Sequence, residues 1–412
     1  MRILIHDYSG HPFQVQLSRH LAERGHVVRH AYSAAVETPR GPLAPQPGDP
    51  DGFEPVPLAQ GRALAKYRIA RRFGQELAYA RELAGQIRDF RPGVVLSGNC
   101  NPVVQRIAAA TAHRAGAGFV YWLQDRYAPA LRDALARRRP AAAALAHPLA
   151  RRVEAGALRA SDKVVAISHA FADAAAASGV PPAHVHTIPN WAPPLDLPHD
   201  DGAAWRGKHG LGGRFVALYA GTLGQKHDPE ALAALARHWR GDPGAAVVVA
   251  SQGPGRAYLE RVRQQEALVN LYLMDFRPYA ELPAALRAAD VLLALLSPTG
   301  GGYAVPSKVL MALRSGRPLL AAMPADNPAS RTIAEADAGL VVAPADHAAW
   351  CGAADRLRGD PGLRARLGAN GATWAARAFA IERIASQFLD VLKNTSAGSA
   401  TPEPPRNGRG PA

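Results

Sequence analysis

The chain has 412 residues, 48% of them hydrophobic and 20% charged, with 48 Lys and Arg against 34 Asp and Glu for a formal net charge of +14. That length exceeds what one ordinary core organises and points to two domains of a globular protein. The two cysteines, Cys100 and Cys351, exclude a disulfide framework and lack metal-ligand spacing, which fits a reducing cytoplasm.

The opening apolar run is too short for a signal peptide, and no stretch approaches the roughly 20 apolar residues that cross a bilayer. The positive excess invites nucleic acid, an anionic bilayer or phosphorylated substrates. Arg- and Ala-rich usage also accompanies a high-GC genome, so charge alone assigns no partner.

Residues 2–6 read as a strand, 8–12 as its loop and 13–24 as a helix, with Val15, Leu17, Leu21 and Ala22 at helical spacing. Gly25 ends that helix and 27–32 form a second strand. This β-loop-α-β opening is that of a doubly wound sheet, although the loop has no Gly-x-Gly-x-x-Gly fingerprint. Residues 37–61, rich in Pro and Gly without a period, read as a surface loop. Residues 62–90 place Leu64, Ile69, Phe73, Leu77, Leu83 and Ile87 among arginines. They predict a basic amphipathic helix or helix pair, either a solvated face or a surface for an anionic membrane.

Strands follow at 94–97 and 118–123, separated by a helix begun by Asn101 or Pro102. Side chains past the carboxyl ends of parallel strands face the cleft, which places Gln124, Asp125 and Arg126 there. Residues 130–160 predict an Ala- and Arg-rich helical region broken at Pro140 and Pro148, a second segment suited to a bilayer surface. Strands at 163–167 and 185–188 complete this half, and 192–202 have linker composition. A second series then alternates strands at 215–220, 245–250, 269–273, 291–296, 318–322 and 339–342 with helices. Two α/β sheets in tandem are implied. The last periodic helices span 345–392, and the tail from Asn394 has the composition of a disordered segment.

Two loops of the second series carry the chemistry. Gly300, Gly301 and Gly302 let backbone N–H groups approach a ligand, and Pro306 or Ser307 starts a helix that Gly316 ends. The helix N-terminus, the Ser307 hydroxyl and the Lys308 ammonium together form a phosphate site. The spacing is not that of a P-loop ATPase. Loop 221–228 repeats the logic with Gly221, Gly224 and Lys226. Two ammonium groups at one crevice suit a diphosphate; independent surface lysines are the bland alternative. Gly253 to Gly255 form another strand-end turn, and the run 274–278 offers a wall for a base.

Taken as a set, several motifs resemble glycosyltransferase family 4: Tyr-Ala-Gly-Thr-Leu-Gly-Gln-Lys at 219–226, Ser-Gln-Gly-Pro-Gly at 251–255, Asp-Phe-Arg-Pro-Tyr at 275–279 and Leu282-Pro283. Ala-Asp-Val-Leu-Leu at 289–293, Pro-Ser-Lys at 306–308, Ser-Gly-Arg-Pro at 315–318 and Ile-Pro-Asn-Trp at 188–191 belong to the same set. The subgroup resembled is the bacterial one with colanic-acid and O-antigen glycosyltransferases, over most of 1–390 and most strongly over 160–320.

The resemblance implies an α/β GT-B fold, with two Rossmann-like domains facing each other across a cleft. In it, 1–194 form the acceptor side, 195–372 bind the nucleotide sugar, a helix at 373–393 crosses back, and 394–412 are a disordered tail. It implies transfer with retention from a nucleotide diphosphate sugar to a lipid-linked or polysaccharide acceptor in exopolysaccharide or O-antigen synthesis. No cofactor or metal is expected, and the protein would sit peripherally on the cytoplasmic face of the inner membrane.

Carried over by position, Lys226 neutralises the leaving diphosphate, Ser307 and Lys308 bind its oxygens, and Gly10 admits the first domain to the same phosphates. Asp125 with Gln124 occupies the place of the family's His-Asp pair, with His11 and Arg126 on the acceptor side. Gly221, Thr222, Gly253, Phe276, Arg277, Tyr303, Pro306, Val309 and Met311 complete the expected donor site.

The sequence departs from the family at Thr222, where Arg or Asn is usual, and at Tyr303 and Met311, which take the places of a glutamate pair. A non-catalytic module that binds a nucleotide sugar or a partner is the alternative these departures favour. Nucleic acid is not expected, because the arginines lack interleaved aromatics and no recognition motif appears.

Overall fold

The computed structural model describes residues 1–36, 40–59, 69–98, 100–136, 139–197, 202–224, 226–275, 279–299 and 304–396. The first half contains strands β1 Arg2–Asp7, β2 Val27–Ser33, β3 Phe53–Leu58, β4 Val94–Gly98, β5 Gly118–Leu123, β6 Lys163–Ala166 and β7 Val185–Thr187. They form one parallel sheet in the order β3-β2-β1-β4-β5-β6-β7. Its helices are α1 Pro12–Glu23, α2 Ile69–Phe90, α3 Pro102–Arg114, α4 Tyr127–Ala136, α5 Pro140–Arg159 and α6 His169–Ala177.

The second half has strands β8 Phe215–Ala220, β9 Ala245–Ala250, β10 Leu271–Met274, β11 Val291–Leu295, β12 Leu319–Ala322 and β13 Gly339–Val342. They too are parallel, in the order β10-β9-β8-β11-β12-β13. Helices α7 Ala203–Lys208, α8 Glu230–His238, α9 Pro254–Gln265, α10 Leu282–Ala288, α11 Ser307–Ser315 and α12 Pro328–Glu335 alternate with them. Helices α13 His347–Gly359, α14 Pro361–Ala378 and α15 Ile381–Ser396 close the chain. The runs Val94-Val95-Leu96 and Val247-Val248-Val249 are fully buried. Helices cover both sheet faces, so unbroken apolar runs replace alternation.

Three expectations are corrected. The stretch 37–61, read as a loop, contains β3, which pairs with β2 in the register His30 with Pro55 and Tyr32 with Pro57. Proline has no N–H for a ladder, so a strand carrying two of them is tolerated at the sheet edge, where β3 lies. Pro148 does not break its helix: α5 runs from Pro140, at its first turn, through Pro148 to Arg159. The strand placed at 269–273 begins at Leu271. Asn270 turns its amide inward to the carbonyls of Ala236 and Trp239, at 2.9 and 3.0 Å, and leaves Val269 82% exposed.

The two halves are tied by an aromatic cluster. Trp122 of β5 and Trp191 stack at 5.9 Å, Phe13 of α1 meets both edge-on, and Phe388 of α15 lies 4.6 Å from Trp122. Trp191 Nε1 also donates to Gln16 Oε1 at 2.7 Å. Thus α15, from the end of the chain, packs on α1 and β5 of the first sheet. At the other chain crossing, the Arg314 guanidinium of α11 donates to the carbonyls of Ala192 (3.1 Å) and Phe379 (3.3 Å). The helix that opens with Ser307 is therefore anchored at its far end to both crossovers.

Candidate functional site

In each sheet the strand order reverses once, between β1 and β4 and between β8 and β11. The loops leaving those strands diverge and open a crevice at the carboxyl ends. The site grows from those loops.

In the second half, the loop after β8 begins at Gly221 with φ +136°. A Cβ there would lie 3.3 Å from Lys308 Cε and 3.5 Å from Nζ, so glycine is what lets the lysine lie across the strand end. Lys308 Nζ hydrogen-bonds Tyr219 Oη and stands 3.8 Å from the centroid of that ring. Tyr219 Oη in turn donates to the Thr222 carbonyl at 2.9 Å, and Thr222 itself is exposed. Ser307, exposed, and Lys308 open α11, whose first N–H groups have no intrahelical acceptor. The Lys226 carbonyl accepts the Ser297 N–H at 2.9 Å, which staples the loop after β8 to the loop after β11.

These groups also act on one another through their charges. Burial holds the Lys308 ammonium well below the usual lysine range, and Lys226 pushes it further down. His227 Nδ1 accepts the Gly224 N–H at 3.0 Å, which places its proton on Nε2. Burial, then Lys308 and Lys226, lower that imidazole to about 2. Two like charges held together and partly desolvated call for an anion between them. The turn at Gly253 (φ +107°) and Gly255 packs under this loop: a Cβ on Gly253 would stand 3.0 Å from the Leu223 carbonyl oxygen, and one on Gly255 2.9 Å from Leu223 Cβ. Gly253 is thus accounted for by loop packing.

In the first half, the buried Asp7 carboxylate accepts the N–H groups of Ser9 (3.0 Å) and Gly10 (2.9 Å), which shapes the loop after β1. Burial raises that carboxyl to about 7 against the pull of these bonds. Gly10 has φ +72°, and a Cβ would meet Leu43 Cδ1 at 2.8 Å, so its need for glycine arises within the domain. His11 stacks on Phe13 at 5.2 Å and is lowered to about 4 by burial and by Lys226. Gln124, Asp125 and Arg126 follow β5 and line a cavity of about 480 Å³ that Lys226 also lines from the other half. Asp125 is open to that space; the protein around it raises its carboxyl and Lys226 opposes the rise. Lys226 therefore acts across the cleft on His11 and Asp125, and within its own half on Lys308 and His227.

Not every expected donor residue reaches the cleft. The Val309 side chain is fully buried and its N–H is bonded to the Pro306 carbonyl at 3.1 Å, so it offers a ligand nothing. Met311 is half-buried against the core, and Pro306 is buried as the residue before α11. Phe276, Arg277 and Tyr303 lie outside the described residues. Sequence reasoning missed Tyr219, which seats Lys308, and His227. Tyr219 sits in a quoted motif, but its place in a buried strand reads as core. Among the described residues no group of three or more His, Cys, Asp or Glu is arranged to hold a metal, and no helix is long and apolar enough to cross a membrane.

Residues 11–191 match the family described as glycosyl transferase 4-like domain, and residues 201–374 match glycosyl transferases group 1. The putative colanic acid biosynthesis glycosyl transferase WcaI of Escherichia coli (strain K12) is 30% identical over 172 residues, 41% of this chain and 42% of that relative. Sucrose-phosphate synthase from Thermosynechococcus elongatus superposes with a TM-score of 0.72 at 18% identity, covering 97% of this chain and all of that one. Anabaena Alr3699/HepE in complex with UDP gives 0.67 at 17% identity, covering 96% and 100%. At these identities the two structures speak for the fold alone.

Proposed function

Because the chain belongs to the family 4-type glycosyltransferases of GT-B fold, we propose that it transfers a hexosyl group, with retention, from a nucleoside diphosphate sugar to a lipid-linked or polysaccharide acceptor in cell-surface polysaccharide synthesis. One observation carries this reading. Lys226, whose charge is felt by Lys308 within its own half, lines one cleft with Asp125 and acts on Asp125 and His11 of the other half. UDP is the first donor to try, since a relative in fold binds it, and a polysaccharide pathway follows from the partial likeness to WcaI.

The difficult event is departure of the nucleoside diphosphate from an oxocarbenium-like sugar. As the C1–O bond breaks, its electron pair goes to the diphosphate, where both lysines and the start of α11 stabilise the growing charge. The acceptor oxygen forms the new bond to C1 on the same face, and its proton passes to the departing phosphate oxygen. A double displacement would use an ionised carboxylate beneath the sugar. Asp125 would have to fill that role; front-face attack needs no carboxylate there and is the mechanism proposed. The cations already present supply the charge a metal would bring, so the reading includes no metal.

Attachment to an anionic bilayer is part of the same proposal. Leu145 and Leu149, one turn apart on α5, are 81% and 65% exposed, and Arg151 and Arg152 follow them, also exposed. A thermal-shift screen of UDP-, GDP-, TDP- and ADP-sugars tests the donor. One of them is expected to raise the melting temperature, by binding only the folded state. A protein that none of the four stabilises, and that does not turn any of them over, would not be this enzyme.

A further inference from the structure

One short helix links the diphosphate site to the places where the chain passes between the halves. α11 carries Ser307 and Lys308 at its start and Arg314 in its last turn. Six residues at about 1.5 Å each put Lys308 and Arg314 about 9 Å apart along the axis. Val309, Ala312 and Leu313 bury its inner face. Its end is seated on α14: a Cβ on Gly368 would stand 2.2 Å from the Gly316 carbonyl oxygen, and one on Gly371 3.3 Å from Leu313 Cδ2. The two helices touch backbone to backbone there and pack as one block.

Arg314 reaches out of that block to both crossings. Its Nε and Nη2 donate to the Ala192 carbonyl at 3.3 and 3.1 Å, and Nη2 also donates to the Phe379 carbonyl at 3.3 Å. The guanidinium carbon lies 5.4 Å from the centroid of the Phe379 ring. Ala192 directly follows Trp191, and Phe379 comes two residues before α15, which carries Phe388. Each carbonyl thus belongs to chain that is leaving or about to enter the aromatic cluster of the first half.

This arrangement is costly to keep. Arg314 is half-buried, burial holds its guanidinium below the usual arginine range, and no carboxylate pairs with it among the described residues. An aliphatic side chain would fill the same space without desolvating a charge. What a guanidinium adds is a planar fork that holds two separate segments of chain at once.

We infer that Arg314 is a positioning residue for the transfer step: by clamping both crossings to the far end of α11, it fixes the wall that carries Asp125 and His11 against the lysine-bearing end of the second half. It touches no substrate. The purpose of the clamp rests on the transferase reading, whereas the clamp itself rests on geometry. The groups placed around the diphosphate, namely Lys226, Ser307, Lys308 and the first N–H groups of α11, all belong to the second half, so loosening the clamp spares donor binding. What it removes is alignment across the cleft, where a misplacement of about 1 Å costs about 10²-fold in rate.

The test compares the full chain with Arg314→Met, which keeps an aliphatic stem and removes the fork. His11 reports on the cleft without any ligand, since burial and Lys226 of the other half hold its imidazole at about 4. Followed by NMR, its titration midpoint is expected to rise toward 6.5 in the variant. UDP affinity by calorimetry is expected to stay within about threefold, while turnover of UDP-glucose falls about 10–100-fold with KM little changed. Retained UDP binding also shows that the second half is folded. Should Arg314→Met fail to fold, Arg314→Lys, which keeps the charge and loses the planar fork, is read by the same measurements.

An unmoved His11 midpoint overturns the inference. So does UDP affinity lost in step with turnover, which would make Arg314 a prop of its own half alone. A His11 midpoint that rises as stated, in a protein that binds none of the four screened nucleotide sugars, would leave the clamp standing and remove the transferase.

Discussion

The two strand-end crevices share one topology and hold opposite chemistry. At the reversal of the second sheet stand Lys226, Lys308 and a histidine driven to about 2 by those lysines and by burial. At the reversal of the first stand His6, bonded to Ser97 Oγ (2.7 Å) and Tyr79 Oη (2.8 Å), and Asp7, which binds its own loop. His30 there is bonded to Ser18 at 2.8 Å. The first set is largely neutral and mostly bonded within its own half, with Asp7 Oδ2 and His30 Nε2 left without a partner among the described residues; the second is cationic and waits for charge. A doubly wound sheet thus prescribes where a ligand lies, while the side chains at the turn decide what charge it meets.

The sharpest way to break this contrast is to remove the cations. Lys226→Ala and Lys308→Ala are each expected to lower turnover of the nucleotide sugar by about 10²–10³-fold, with the melting temperature little changed. Turnover measured on the purified variants decides this, and undiminished rates would end the diphosphate assignment.

A second measurement reads the same pair without mutation. Lys308 has a lowered pKa in the free protein, and a diphosphate favours its charged form, so UDP binding should take up a proton. Affinity then falls as pH rises through the free lysine's pKa. Calorimetry in buffers of different ionisation heat reads the proton directly, and a value of zero or a release would refute the placement.

The third prediction concerns stability. His6 and His30 are held at about 3 and His11 at about 4, against an ordinary 6.5. The unfolded chain therefore takes up protons below pH 6.5 that the native first half does not, and native stability is lost as pH falls through that window. Asp7, raised to about 7 from 3.8, acts in the opposite sense between those values, as do Asp125 and Glu154, against the five lowered histidines of this half once His26 and His186 are included. Thermal scans from pH 6.5 to 4 should show the melting temperature falling by several degrees, the first half yielding before the second, which carries His227 alone among these site histidines. A flat or rising profile would mean that these imidazoles are not buried neutral.

The smallest effect belongs to the surface. Replacing Leu145 and Leu149 by Ser is expected to weaken binding to vesicles containing anionic lipid by at least about tenfold, since the loss of even two buried methylenes at about 0.8 kcal/mol each is enough. Binding to neutral vesicles should be weak for both proteins. Co-sedimentation that does not distinguish the variant would move the membrane face elsewhere.

Much of the second crevice is readable in the sequence because its parts are local. A strand run, a glycine, a lysine and a helix start lie within about fifteen positions, twice, with the lysine before the helix in one loop and in its first turn in the other, and Gly316 (φ +69°) ends α11 where expected. The first crevice is harder to read. Glu76 meets Tyr8 across 68 positions, and a glutamate within a helix reads as one more solvated charge until the fold shows it buried. Separation in the chain also hides β3, whose prolines argue against a strand unless its place at the edge is known. Val309 shows the converse error, since the next residue on a helix is turned about 100° from Lys308, and here that turn carries its side chain into the core.

The sequence by itself determined the alternation of strands and helices, the two sheets, and the lysine-bearing turns, because propensity, periodicity and turn chemistry act over short spans. Only the tertiary structure decided which way the strands order, that Tyr219 seats Lys308, that Lys226 acts across the cleft on Asp125, and that Glu76 is buried against Tyr8. Those are relations between residues far apart in the chain. Their energies depend on burial and on neighbours that no local pattern specifies.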